Sequence, residues 1–375
     1  MYGKMNMADM GSYEAEGVVR NPPRSHTPPL PEGCEPLTNQ VAGHTHGKGK
    51  AGLLQSADGT ILKPISSRPS GKRELGFYQE VFRDDQSDPV LTGLRRFIPQ
   101  YHGVLTIEQH YFISYMKLDD ITKCFRKPCI MDIKIGRRSC VRGAPQTKVE
   151  SSTRKHPQLD KVGFQITGMR IYHPSKDQFV LYDRSFGREL EGHLVMTGLT
   201  RYFSNRKMFR RDVIPAFIRR LEKIENWFNC QEKYHFISSS LLFVYEGDIA
   251  NDEHGNNNDV ITNGVNDDVI RDVIKDTSSS NNSSNNTCIR DNDDMPSAEK
   301  GTGEPEESDH VVSIEPNRSL MPEDALTDIR MIDFPHAVPS TTADDDYLYG
   351  LRKLLTCLRT LLIEGPDQHQ RMYLD

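Results

Sequence analysis

The chain has 375 residues, 36% hydrophobic and 27% charged, with a formal net charge of -6, and its mean hydropathy of -0.62 leaves room for one large core or two lobes beside a sizeable disordered share. No apolar run approaches the ~20 residues of a membrane helix, and the N-terminus has neither a basic nor an apolar leader segment, so a soluble protein is expected. Cys34, Cys124, Cys129, Cys140, Cys230, Cys288 and Cys357 form no CxxC pair, which argues against a disulfide framework or a structural zinc and for a reducing compartment.

Residues 1–36 carry Asn21-Pro-Pro and Thr27-Pro-Pro-Leu-Pro without periodicity, which predicts a disordered tail. From Val41 the pattern changes. Gly52-Leu-Leu-Gln, the turn Ala57-Asp58-Gly59 and Thr60-Ile-Leu-Lys63-Pro64 predict a hairpin. Leu75, Tyr78, Val81 and Phe82 follow at helical spacing, then Val90, Leu94 and Phe97 in a second helix stopped by Pro99. Strands are expected over 101–107, 111–118 and 128–136. Residues 37–120 thus read as an N-terminal lobe with an antiparallel sheet, ending in the connector Leu118-Asp119-Asp120-Ile121.

A second lobe is expected over 121–248, with a helix at 147–156, a strand pair at 163–183 and a long helix from Asp212 to Gln231. Its stripe of Ile214, Phe217, Ile218, Leu221, Ile224, Trp227 and Phe228 reads as core. Residues 249–327 are rich in Asn, Asp and Ser and predict a disordered insertion, in which Asp267–Lys275 has the pattern of a short amphipathic helix, marginal alone. That stretch holds 18 acidic against 5 basic residues, so the rest of the chain carries about +7, a basic body suited to a polyanion. The second lobe resumes over 328–363, where Leu348, Leu351, Leu355, Leu358 and Leu362 predict a closing helix, and 364–375 reads as a tail.

Pro128-Cys-Ile-Met-Asp132-Ile-Lys134-Ile-Gly136 is the segment richest in chemistry. Side chains alternate along a strand, so Cys129, Met131, Ile133 and Ile135 share one face while Ile130, Asp132 and Lys134 share the other. The carboxylate and the ammonium then stand roughly 6.5 Å apart at the Cα atoms, a spacing from which both reach one hydroxyl and an incoming phosphoryl group. Gly136 is expected to admit a bulky ligand to the backbone. An edge strand with an exposed Asp/Lys pair remains the plain alternative.

This segment resembles the signature of the inositol polyphosphate kinase family, and Ser239-Ser-Leu-Leu-Phe-Val-Tyr-Glu246 and Ile332-Asp-Phe-Pro-His-Ala337 resemble two later motifs of that family in the expected order. The resemblance covers roughly residues 40–247 and 329–363. It implies a two-lobed, kinase-like α+β fold that uses ATP and Mg2+. It further implies that Asp132 and Lys134 are catalytic, that Lys63 meets the ATP phosphates with Glu74 orienting it, and that Asp119, Asp120 and Ile121 present backbone to adenine. Asp333 is implied as the metal ligand, with Ser240 at its border, and Asp132 at the nucleotide. Lys134, Lys148, Ser151, Ser152, Lys155, Arg184 and His336 are implied substrate contacts; Lys148 and Lys155 lie two helical turns apart on one face, which suits several phosphates. Ordinary surface roles for these lysines, and a backbone-bonded turn role for His336, stay open. Pro335, Ser70 and Arg184 depart from the residues expected at their positions.

Arg137-Arg-Ser-Cys140 and the short spacing from Gly136 to Gly163 resemble the branch with a small, open site, which implies phosphorylation of inositol 1,4,5-trisphosphate and inositol tetrakisphosphate at the 3- and 6-positions towards the pentakisphosphate. A specific trisphosphate 3-kinase and a non-catalytic scaffold or transcriptional co-regulator are the rivals. A monomer is expected in nucleus and cytoplasm, with soluble inositol phosphates as partners, a phosphoinositide head group at a membrane surface as a second kind of acceptor, and proteins docking on the acidic insertion. No nucleic-acid partner is expected, since Arg206-Lys207 and Arg210-Arg211 are sparse. His44-Thr-His46 lacks a third metal ligand, and Gly47-Lys-Gly-Lys-Ala-Gly lacks P-loop spacing.

Overall fold

Two five-stranded antiparallel sheets, one from residues 34–119 and one from residues 128–332, face each other across a cleft. The computed structural model describes residues 27–248 and 327–366, apart from 44, 48, 109–111, 193 and 206–207. The expectations for residues 1–26, for the insertion over 249–326 with its short helix, for Arg206 and Lys207, for His44 and for 367–375 lie outside the described residues.

The N-terminal sheet contains β1 (Cys34–Pro36), β2 (Leu54–Ser56), β3 (Thr60–Pro64), β4 (Tyr101–Glu108) and β5 (Phe112–Asp119), ordered β1-β2-β3-β5-β4. The predicted hairpin turns at Gly59, whose φ of 78° needs glycine, and the Asp58 carboxylate accepts from the Thr60 N–H at 3.1 Å. Helices α1 (Pro69–Val81) and α2 (Pro89–Leu94) follow. Proline opens each, where its missing N–H costs nothing, and Asp88 caps α2 by accepting from Val90 and Leu91.

One expectation changes here. Residues 34–36, read as part of a disordered tail, form β1, and Cys34 is buried with Leu54, Leu62, Ile113 and Tyr115 in a small core of their own. Three residues carry no period. Their structure comes from pairing with β2.

The second sheet contains β6 (Pro128–Ile135), β7 (Phe164–His173), β8 (Gln178–Tyr182), β10 (Ser240–Glu246) and β11 (Thr327–Ile332), ordered β11-β10-β6-β7-β8. A small pair, β9 (Tyr234–Phe236) with β12 (Ala337–Pro339), flanks it. The helices are α3 (Gln146–Lys155), α4 (Leu159–Val162), α5 (Arg184–Glu189), α6 (Leu194–Tyr202), α7 (Ile214–Asn229) and α8 (Asp345–Glu364). Six of the seven stripe residues of α7 are buried, and so are the five leucines expected to line α8, together with Leu354 and Leu361. Trp227 differs from the core reading: half-buried, it donates its indole N–H to the Val90 carbonyl at 2.9 Å and ties α7 to α2. Helices α4, α5 and α6 were not anticipated, all being short and the last two carrying glycine; a Cβ at Gly187 would overlap the Ile166 carbonyl oxygen of β7.

β6 is the central strand. Cys129, Met131, Ile133 and Ile135 enter the main core, while Ile130 and Asp132 turn to the cleft. Gly136 departs from expectation: its φ is 94°, its N–H donates to the Gly163 carbonyl, and it packs against the backbone of α8 at Asp346 and Tyr347. The glycine serves a left-handed turn and a helix contact rather than an opening for ligand. Among the described residues no helix is long and apolar enough to cross a membrane.

Candidate active site

Lys63, near the end of β3, points its ammonium at two carboxylates, Glu74 of α1 at 2.7 Å and Asp333 just after β11 at 2.5 Å. Burial alone would lower the lysine's pKa, but Asp333 and Glu74 outweigh it and hold the ammonium above its ordinary range. Asp333 is also penalised by burial, yet Lys63 keeps it below the usual carboxylate range. Glu74 does a second thing: the same oxygen accepts from the Phe334 N–H at 2.9 Å. Asp333 has a φ of 63°, a conformation costly for a residue with a Cβ. Phe334, buried against Phe77, Tyr78 and Phe236, anchors the turn that imposes it.

On β6, Asp132 is held from the neighbouring strand. The β6–β7 register shifts between Asp132 and Ile133, a bulge that leaves Thr167 unpaired and turns its hydroxyl onto Asp132 Oδ1 at 2.6 Å and onto the Asp132 carbonyl at 3.1 Å. Burial, reinforced by Asp333, still raises the Asp132 pKa above the ordinary value. Lys134 donates to the Ser238 carbonyl at 2.6 Å and to its hydroxyl at 3.1 Å. Burial pulls this ammonium below its ordinary range, against the attraction of Asp333 and Asp132.

Lys63, Asp132 and Asp333 line a cleft of about 780 Å3, open to solvent, with an apolar slot beside its polar floor. Ile61 and Val41 face Ile130, Leu242 and Ile332 there. The connector forms one rim. The Ile121 N–H has no backbone partner among the described residues. The side chains of Asp119 and Asp120 are engaged elsewhere: Asp119 with His102 at 2.7 Å, Asp120 with the Thr122 N–H and hydroxyl and with Gln55. Of the predicted connector residues, the structure thus leaves backbone rather than carboxylate for a ligand.

Beyond Lys134 the rim is basic. Burial, together with Lys148, Arg73 and Lys134, lowers His336 to about 4; burial, together with Lys134, Arg184, Lys155 and Arg188, lowers His156 to about 3. Both rings are neutral at physiological pH. Lys148 and Lys155 stand exposed on α3, a helix with no buried residue, so no core contact explains its placement. Ser152 donates its hydroxyl to the Ser139 carbonyl at 3.4 Å, which ties α3 to the loop before it. No contact is shown for Ser151 that would set it apart. Arg184 opens α5, exposed, and its charge reaches Lys134 and Asp333.

Ser240 is buried opposite Lys134 and Ile332 in the register of β10, which places it beside Asp333 and stabilises Asp132. Sequence reasoning missed Thr167, Arg73 and His156. Arg73 donates to the Pro335 carbonyl at 3.0 Å and contacts His336 at 3.4 Å, so α1 holds the whole 333–336 turn.

Two carboxylates and a hydroxyl at the floor of an apolar slot match what a divalent cation with phosphate ligands needs, since magnesium takes one or two protein carboxylates and leaves its other positions to phosphate and water. A full cage of three acidic, His or Cys ligands is absent among the described residues, consistent with that mode.

Residues 115–359 match a profile of the family described as inositol polyphosphate kinase. The chain is 35% identical over 370 residues to the inositol polyphosphate multikinase of Homo sapiens, spanning 88% of this chain and 89% of that protein. To inositol polyphosphate multikinase alpha of Arabidopsis thaliana it is 28% identical over 225 residues, 56% of this chain and 78% of that one. The crystal structure of the inositol phosphate multikinase Ipk2 from S. cerevisiae in complex with ADP and Mn2+ shares the fold, with a TM-score of 0.51 at 22% identity over 81% of this chain and 99% of that chain.

Proposed function

The chain belongs to the inositol polyphosphate kinase family and is an inositol phosphate kinase, and we propose that it transfers the γ-phosphoryl group of ATP to inositol 1,4,5-trisphosphate and inositol tetrakisphosphate at the 3- and 6-positions. The observation that carries this reading is the convergence at one end of the cleft of the Lys63–Asp333 ion pair with Asp132 of β6, whose charge and that of Lys134 act on one another.

Adenine fits the slot between Ile61 and Ile130, with the Ile121 N–H as a donor at the rim. Lys63, protonated at any working pH, meets the donor phosphates, and Glu74 keeps it aimed. Asp333 and Ser240 would hold Mg2+, which supplies charge neutralisation of the phosphates when bound. Asp132, its raised pKa suited to accepting a proton, orients the attacking hydroxyl while Thr167 fixes its carboxylate. Lys134 stabilises charge on the transferred group. Lys148, Lys155 and Arg184 grip the remaining phosphates, and neutral His336 contributes a hydrogen bond without charge. With so little of the described chain covering the rim, several orientations of the acceptor ring are accommodated.

Purified protein with magnesium ATP and a panel of inositol phosphates and phosphatidylinositol bisphosphate tests this reading. Positional analysis of the products is expected to show phosphate added at both the 3- and 6-positions. Addition at the 3-position alone would make it a specific 3-kinase, and no transfer to any acceptor would remove the catalytic reading.

A further inference from the structure

A short segment preceding the first hairpin, residues 37–42, crosses from one lobe to the other over the nucleotide slot. Leu37, Asn39, Gln40, Val41 and Ala42 line the cleft. At its start the Leu37 N–H donates to the Leu53 carbonyl at 3.0 Å, beside β2 of the N-terminal sheet. At its far end Val41 lies on β7 of the other sheet. A Cβ at Gly168 would overlap the Val41 carbonyl oxygen. Gly168 has no left-handed backbone to require glycine; the close approach of the segment does. Midway, Asn39 is held twice: its amide oxygen accepts from Arg170 of β7, whose guanidinium stacks 3.6 Å over Phe179, and its amide nitrogen donates to the Thr122 hydroxyl at 3.2 Å. Thr122 is bonded in turn to Asp120, and Asp120 to Gln55 of β2.

We infer that residues 37–42 form a strap that sets nucleotide affinity, with Asn39 and Gly168 as positioning residues that press Val41 into the slot and lock the connector at the same time. This rests on the kinase reading above and deepens it. The strap's own side-chain hydrogen bonds reach Arg170 and the connector rather than Asp132 or Lys134, so untying Asn39 is expected to act on the nucleotide first.

Two variants test it. Gly168→Ala pushes the strap away by steric overlap; Asn39→Ala unties it without a clash, and keeps the question answerable should Gly168→Ala fold poorly. Each is expected to weaken binding of a fluorescent ADP and raise KM for ATP, in Asn39→Ala by about tenfold, the loss of one hydrogen bond to a charged group. KM for inositol 1,4,5-trisphosphate and the melting temperature of Asn39→Ala are expected to stay near wild type. Added ADP is expected to slow proteolytic cutting within 37–50 in the wild type and much less in Asn39→Ala. Unchanged ADP affinity in a folded Asn39→Ala, or equal rises in KM for both substrates, would overturn the strap's role while leaving the kinase standing. A wild type that binds no ADP and transfers no phosphate would overturn the kinase reading, and the strap's role with it.

Discussion

Away from Lys63, two charged pairs of the N-terminal sheet stand in water: Lys117 meets Asp58 with side chains 33% and 46% exposed, and His102 meets Asp119 with 39% and 52%. In the C-terminal sheet Asp132 and Lys134 stand on a strand with seven of eight residues buried. Both sheets are antiparallel and five-stranded, and both carry Asp/Lys chemistry, yet the first kind of pair is what any solvated strand shows. The second requires support, because a buried charge without partners is strongly disfavoured. Thr167 supports Asp132 and Ser238 supports Lys134. Support of this kind, rather than charge itself, distinguishes a site from a surface.

The comparison breaks most sharply at Asp132 and Lys134. Asp132→Asn and Lys134→Ala are each expected to cut turnover by a hundredfold or more, a loss of about 3 kcal/mol of transition-state stabilisation, with the melting temperature little changed; near wild-type kcat in either folded variant would reduce β6 to a structural strand. Thr167→Val removes the supporting hydroxyl alone. A hydrogen bond to a charged group contributes about 1.5–3 kcal/mol, so kcat is expected to fall at least tenfold while KM for ATP holds, and an unaltered kcat would show that Asp132 orients itself.

On the rim, Lys148→Ala with Lys155→Ala is expected to raise KM for inositol phosphates roughly tenfold at low salt, less at high salt, with KM for ATP unchanged. No change at low ionic strength would return α3 to an ordinary solvated helix. At the small end, Lys117→Ala in the N-terminal sheet is expected to cost less than about 1 kcal/mol in chemical denaturation and nothing in turnover; a loss matching that of Thr167→Val would dissolve the distinction between the sheets.

The pH profile sharpens the same contrast within the site. In the proposed role Asp132 acts ionised and its pKa is raised by burial, so activity is expected to fall with decreasing pH already above the ordinary carboxylate range. Lys134 must be protonated and its pKa is lowered by burial, so the alkaline limb is expected below the ordinary lysine range. For the Lys63–Asp333 pair the signs are opposite: the lysine is raised and the aspartate lowered, so the stability it contributes persists from below the carboxylate range to above the lysine range. Turnover against pH should therefore narrow well inside the window over which melting temperature is flat. Coincident windows would show that unfolding, not Asp132 and Lys134, sets the limbs.

How much of this was legible follows from the range of each interaction. The alternation on 128–136 placed Asp132 and Lys134 on one face because a strand's period is local, and the leucine and aromatic spacings of α7 and α8 announced their buried stripes for the same reason. The small core under β1 was hidden, since Cys34 becomes buried only when Leu54 and Tyr115 arrive from elsewhere. Gly136 was misread because its neighbour, α8, lies more than 200 residues away in sequence.

The motifs and periods of the chain alone determined the kinase-like family, the two lobes and the identity of the residues at the floor of the cleft, since each is written in spacings of a few residues. Tertiary structure alone decided what those residues do to one another. Lys63 meets Asp333 across 270 residues, Thr167 reaches Asp132 through a bulge that no pattern encodes, and Val41 settles on Gly168 because two sheets close over one slot. Such contacts depend on which sheets pack together and in what register, and a linear chain carries that information only through the sum of its long-range burial.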